Sequence, residues 1–211
     1  RAYKLKPKSE WVFKMMFDLA GRAELWNEAY DALNTAVGKK LLDSLEVKHS
    51  KAVLKHQMSI EAEASGNTAK ALELSKKAVK EEPKFTPAQI RLAHLFMSSG
   101  NKEKAIRSLE SAWAISPHPE IARSYWPLID ASNAVSRMKA ANRLAGFNPE
   151  HLATKLMLVK NALIAEIWSD ARKNLEEIGA SDEPVTSSYC HLMAKLEEAE
   201  NSDMIAARKW L

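Results

Sequence analysis

Two stretches of the chain repeat one another at a distance of 34 residues. Gly66-Asn67 is followed by Lys70-Ala71-Leu72, Ala78 and Pro83, and Gly100-Asn101 by Lys104-Ala105-Ile106, Ala112 and Pro117. Four pairs, Gly66/Gly100, Ala71/Ala105, Ala78/Ala112 and Pro83/Pro117, keep that one offset. Ala71, Leu72, Leu74, Ala78 and Val79 then fall on one face of a helix. Glycine and asparagine make the turn that opens it, small alanines let neighbouring helices approach, and proline stops it. A unit of this kind buries its apolar face against the next unit, so the repeat commits the chain to a stacked helical array.

A 34-residue period with Gly, Ala, Ala and Pro in these slots is the tetratricopeptide (TPR) pattern. Only 6 Gly and 8 Pro occur in 211 residues, and no run alternates apolar and polar residues as a sheet requires. The expected fold class is therefore all-α: a TPR-like right-handed superhelix of about six helical hairpins, one α-solenoid domain over 1–211. The best repeats are 52–85 and 86–119, with degenerate hairpins on both sides. Even these two depart from the pattern. The aromatic expected at the fourth position is Lys55 or Gln89, the glycine at the eighth is Ser59 or Ala93, and the tyrosine at the eleventh is Ala62 or Phe96.

Registering the rest of the chain on this pair predicts helices from Lys8 or Ser9, from about Glu24, and from roughly Val47 to Ala64. Further helices follow over 68–81 with Thr68 as cap, 87–98, 102–115, 119–131, 133–145, 150–165, 168–178 and 186–200, with a last one from Asp203. Pro127 removes a backbone donor inside 119–131 and predicts a kink or an early end. The pattern stops in mid-course at Trp210-Leu211, which implies truncation or a further helix.

Chemistry-bearing motifs are missing. There is no G-x-x-x-x-G-K-[ST], G-x-G-x-x-G, G-x-S-x-G or H-E-x-x-H, and Cys190 alone makes neither a disulfide nor a thiolate zinc site. His49 and His56 lie two helical turns apart, too far for a metal clamp, and adjacent Cys190 and His191 point to different faces. No catalytic residue, metal or resident cofactor is assigned. The six Trp read as packing residues, and Glu197-Glu198-x-Glu200 as a solvated face or an acidic edge for a basic partner. Residues 1–60 hold 11 Lys/Arg against 7 Asp/Glu and residues 166–211 hold 5 against 10, which is no continuous stripe for nucleic acid. No run of 18 apolar residues spans a membrane. Arg1, Lys4, Lys6 and Lys8 form either a solvated tail or a juxtamembrane basic segment.

In stacked hairpins the first helix of each repeat lines the concave side. Register on Pro83 and Pro117 places His56, Ile60 and Glu63, then Ile90, His94 and Met97, then Ser124 and Leu128, then Leu156 and Lys160 on that side. The mixture of apolar patches, histidine and single charges suits an extended peptide or an amphipathic helix.

Leu72–Pro83, Ala112-Trp113 with Ser116-Pro117-His118-Pro119, Leu144–Pro149, and Met193-Ala194-Lys195-Leu196-Glu197-Glu198-Ala199-Glu200 through Ala207-Arg208-Lys209-Trp210-Leu211 resemble the HemY-type bacterial proteins. The last tract is the most specific, and the resemblance is weaker before Lys48. It implies N-terminal transmembrane helices ahead of a TPR domain, and an association with late haem (porphyrin) biosynthesis at the inner membrane. The family offers no agreed catalytic residues to carry over. The flavin-dependent oxidase that shares its name is not implied, since a dinucleotide fingerprint is lacking.

The expected function is a non-catalytic interaction scaffold, tethered to the inner membrane on the cytoplasmic side, whose partners include haem-pathway enzymes. The alternatives are a direct haem or porphyrin carrier with His56 or His94 as axial ligand, and a generic TPR adaptor for cell-envelope assembly.

Overall fold

The computed structural model describes residues 10–40, 42–129, 133–181 and 184–211. Among them are twelve α-helices, one 3-10 helix and no strand. The basic start at Arg1, Lys4, Lys6 and Lys8 lies outside the described residues. The chain forms two compact units, Arg1–Ser108 and Leu109–Leu211.

The first unit holds α1 (Glu10–Arg22), α2 (Trp26–Gly38), α3 (Ser44–Ala64), α4 (Thr68–Glu81), α5 (Thr86–Ser98) and the start of α6 (Lys102–Ile115). Each of α1 to α4 packs on its successor, and α3 also packs on α5. Consecutive first helices thus lie side by side, as a 34-residue repeat requires. Asp43 accepts the N–H groups of Leu45 and Glu46 at 2.7 and 3.0 Å, so α3 begins at Ser44 rather than near Val47. Asn67, not Thr68, caps α4 by accepting the Lys70 N–H at 3.0 Å, because Thr68 is already helical.

The turns after α3 and α5 are built the same way. The Asn67 N–H reaches Ala62 O and the Asn101 N–H reaches Phe96 O, both at 2.8 Å. Gly66 and Gly100 sit there at φ 80° and 73°. Degenerate hairpins repeat it without glycine: Leu25 N–H to Ala20 O and Ile167 N–H to Ala162 O, both at 2.9 Å, with Glu24 and Glu166 at φ 57°. Left-handed φ is costly for a residue with a Cβ. Nothing lies within 4 Å of a Cβ added at Gly66, so its cost is conformational alone. Gly66→Ala is expected to lower stability by about 1 kcal/mol in urea unfolding, whereas Gly21→Ala, inside α1, raises it by a few tenths.

Polar residues fill three of the positions that depart from the repeat pattern, Lys55, Ser59 and Gln89, and each donates a hydrogen bond, while Gln89 Oε1 is buried without a partner. Lys55, 8 % exposed, reaches Glu81 at 2.5 Å and lies over the Tyr30 ring. The Ser59 hydroxyl donates to Ala71 O at 2.9 Å, and Gln89 donates to Pro83 O. Ala29, Leu33, Ala36 and Leu54 form one core cluster, and Ala62, Ala71 and Leu95 another.

The second unit holds the end of α6, α7 (Pro119–Tyr125), a 3-10 turn (Trp126–Leu128), α8 (Ala134–Ala145), α9 (Leu152–Ile164), α10 (Trp168–Gly179), α11 (Ser187–Asn201) and α12 (Met204–Arg208). Helix α9 is central: α7, α8, α10 and α11 all pack on it. Helix α7 ends at Tyr125, two residues before Pro127, so of the kink or early end expected there the structure has the early end, and the helix falls short of the expected 131. Asn133 and Ser136 form a capping box at α8. Val159, Ala162, Leu175 and Leu196 are among the buried residues of the core. Trp113 is fully buried, its Nε1–H donating to Thr154 Oγ1 at 3.1 Å.

Two expectations are corrected. Glu197 and Glu200 are not a free acidic face, because Arg172 of α10 binds both carboxylates. Those bonds, Glu197's first, also raise the pKa of the guanidinium. Trp11 is not a packing residue among those described, being 65 % exposed on α1.

Candidate functional site

In the first unit the candidate residues lie on α3 and α5, which Arg91 ties together. Its Nη1–H donates to Glu63 Oε2 at 2.6 Å, its Nη2–H to Ser59 O at 2.9 Å and its Nε–H to Ser59 Oγ at 3.3 Å. Glu63 is thus engaged within the protein. His94 is exposed, Ile60 is 41 % exposed, and Ile90 and Met97 are half-buried. Their side chains give the two helices a surface with apolar and aromatic-like area but little committed charge.

His56 sits differently. Its ring meets Phe85 edge-on at 5.7 Å, as does the ring of His49 at 5.8 Å. Its Nδ1 is buried without a hydrogen-bond partner. Burial first, and the Arg91 charge second, hold its pKa below the ordinary histidine range. Above pH 6.5 the folded and unfolded forms are both neutral, and the fold has its full stability. As pH falls below 6.5 the unfolded chain takes up the proton first, so stability is lost until the folded pKa is passed. His56→Leu is expected to flatten this loss, read as a smaller drop in Tm between pH 7.5 and 5.5 than in the parent chain.

In the second unit Ser124 is half-buried and Leu128 is buried at 8 % exposed. Leu156 and Lys160 of α9 are more open and line a cavity of about 270 Å³ together with Trp126 of the 3-10 turn and Arg137 of α8. A second cavity of about 690 Å³ shares Arg137 and Lys160 and continues to Leu163, Ile164, His191 and Lys195. Arg137 is held in place: its guanidinium lies 5.2 Å from the Trp126 ring centre, and its Nε–H donates to Asn161 Oδ1 at 2.9 Å. Asn161 in turn donates to Met157 O at 2.8 Å. Trp126 and Arg137 were not readable as site residues, because Trp126 falls in the irregular turn after α7 and Arg137 on a second helix. A third cavity of about 220 Å³, at the α3–α4 turn, is lined by Asn27, Met58 and Lys70 among others. Neither His56 nor His94 lines any of these three cavities.

Among the described residues no group of three His, Cys, Asp or Glu side chains could hold a metal, and no helix is long and apolar enough to cross a membrane.

The architecture is that of a helical-repeat protein, all-α and TPR-like. The tetratricopeptide repeat family model matches residues 62–124, less than half of the chain and centred on the 34-residue pair. Among solved structures, the chain is similar to one of Pseudomonas aeruginosa PilF, with 12% identity, 95% of this chain and 88% of that one covered, and a TM-score of 0.43. It is also similar to a chain in a structure of Naa15/Naa10 bound to HypK-THB, with 15% identity and a TM-score of 0.40. That match covers 95% of this chain but only 30% of the other. No significant match to a curated protein is found.

Proposed function

We propose that the protein is a non-catalytic scaffold that binds other proteins through the faces of its first helices. The observation that carries this is the side-by-side packing of α3 and α5, with Ile60 and His94 left outward while Arg91 and Glu63 satisfy one another. Ordered apolar side chains on a rigid helical surface offer contact area without a large ordering cost. The tetratricopeptide match, which covers α5 with His94 but only the last three residues of α3, supports a protein partner over a small-molecule substrate.

On the resemblance of Met193–Glu200 and Ala207–Leu211 to the HemY-type proteins, the finer proposal is a scaffold for late haem biosynthesis, tethered at the cytoplasmic face of the bacterial inner membrane. Affinity capture of the natural full-length protein from detergent-extracted membranes tests it. Recovery of a porphyrin-modifying enzyme, reduced in an Ile60→Asp/His94→Asp variant, is the expected result. Capture of envelope-assembly proteins alone would favour a general adaptor, and recovery of no haem-pathway enzyme would count against the association.

A further inference from the structure

The groove along α7, α8, α9 and α11 of the second unit carries positive charge that its unit as a whole does not. Residues 109–211 hold 11 Lys/Arg against 14 Asp/Glu, a net of −3. Yet the two cavities are lined by Arg123, Arg137, Lys160 and Lys195 against the single acid Glu198. Arg123 is paired with Glu120, whereas no described carboxylate lies within ion-pair distance of Arg137, Lys160 or Lys195. Five of this unit's acids are drawn elsewhere: Glu110 to Arg143, Glu150 and Glu177 to Lys155, Glu197 and Glu200 to Arg172.

We infer that this groove docks a short peptide segment of a protein partner in which carboxylates flank a large apolar side chain. The inference deepens the scaffold function proposed above and rests on it. Trp126 and Asn161 hold Arg137 in one orientation and leave its terminal nitrogens without a bond to any described residue. A planar guanidinium fixed in this way donates two parallel bonds to a carboxylate at little ordering cost. Leu156 and Met157 beside it, and Leu163 and Ile164 beyond it, supply the apolar floor. The cavity of about 270 Å³ takes one large side chain, and the cavity of about 690 Å³ has room for several side chains of an extended segment. A polyphosphate chain fits less well, because a unit of net −3 repels its many charges at a distance, whereas a peptide brings two or three carboxylates to the local cations.

The test selects phage-displayed random dodecapeptides on the full chain and measures enriched peptides by fluorescence polarisation. Peptides with Asp or Glu on either side of Leu, Phe or Trp are expected to enrich. Their affinity should fall about tenfold or more in Lys160→Glu and in Arg137→Gln and stay unchanged in Lys104→Glu, an exposed cation on the other unit. Lys160 and Lys195 are exposed, so Lys160→Glu and Lys195→Glu are expected to fold, which circular dichroism verifies. Enrichment of neutral or basic peptides, or acidic binders indifferent to Lys160→Glu and Lys195→Glu, would overturn the groove's assignment. So would tighter binding of an oligo(dT) strand or of anionic phosphatidylglycerol vesicles with the same dependence, or no enrichment at all. None of these results touches partner binding at Ile60 and His94 of the first unit, which is read separately.

Discussion

Replacing Trp113 by alanine is expected to destabilise the unit Leu109–Leu211 by about 3–5 kcal/mol. The indole is wholly buried, and its N–H is bonded to Thr154, itself fully buried on α9. Alanine removes the ring's contacts, leaves a cavity, and leaves the threonine hydroxyl without its donor, so transfer, cavity and polar costs add. Trp113→Phe separates them. It keeps most of the apolar area and should cost about 1–2 kcal/mol, chiefly for the lost bond and the smaller ring. Equilibrium unfolding in urea, followed by far-UV circular dichroism, reads both; equal small effects for the two variants would mean that the indole is not a core residue.

The second large effect is expected at Arg143. Glu110 keeps only 7 % of its side chain exposed and is held by the Tyr125 hydroxyl at 2.8 Å and the Arg143 guanidinium at 2.8 Å. Burial, with the bond to Glu110 second, keeps the tyrosine proton on its oxygen, so Tyr125 is a donor throughout the physiological range. Arg143→Met leaves a buried carboxylate with one neutral donor and should cost about 2–3 kcal/mol. Adding Glu110→Gln to Arg143→Met removes the unpaired charge and should recover most of the loss. A double-mutant cycle measured by denaturant unfolding gives the coupling directly, and an additive cycle would mean that water solvates Glu110.

Much of the array was legible because helix periodicity and proline stops act locally. The bounds of α4 and α6 follow from Lys70–Val79 and Asn101–Pro117 by propensity and sterics alone, whereas α7 stops at Tyr125, short of the 131 that its apolar pattern suggests. The degenerate turns were not legible. The hydrogen bonding at Glu24 and Glu166 copies that at Gly66 and Gly100, but glutamate gives no sign of left-handed φ. Here tertiary packing of the flanking helices outweighs a local preference of order 1 kcal/mol. The caps at Asp43 and Asn67 were within reach of the same rules, and placing α3 at Val47 overlooked the acid ahead of it. Of the candidate surface, register on Pro83 and Pro117 singles out Leu156 and Lys160, which line the first cavity. The acids at Glu197 and Glu200 were misread because Arg172 lies on the preceding helix, at a separation that no local pattern reports. Arg137 escaped for the same reason, since its stacking on Trp126 depends on how α8 returns after the 3-10 turn.

The most direct measurement is site-specific photocrosslinking of the full-length protein in living cells, with benzoylphenylalanine placed at Ile60, at His94 and, as a control, at the exposed Lys80 of α4. If the first helices bind a partner, Ile60 and His94 yield the same discrete protein adducts and Lys80 yields none. Adducts absent at both first-helix positions, or equally abundant at all three, would contradict the scaffold function.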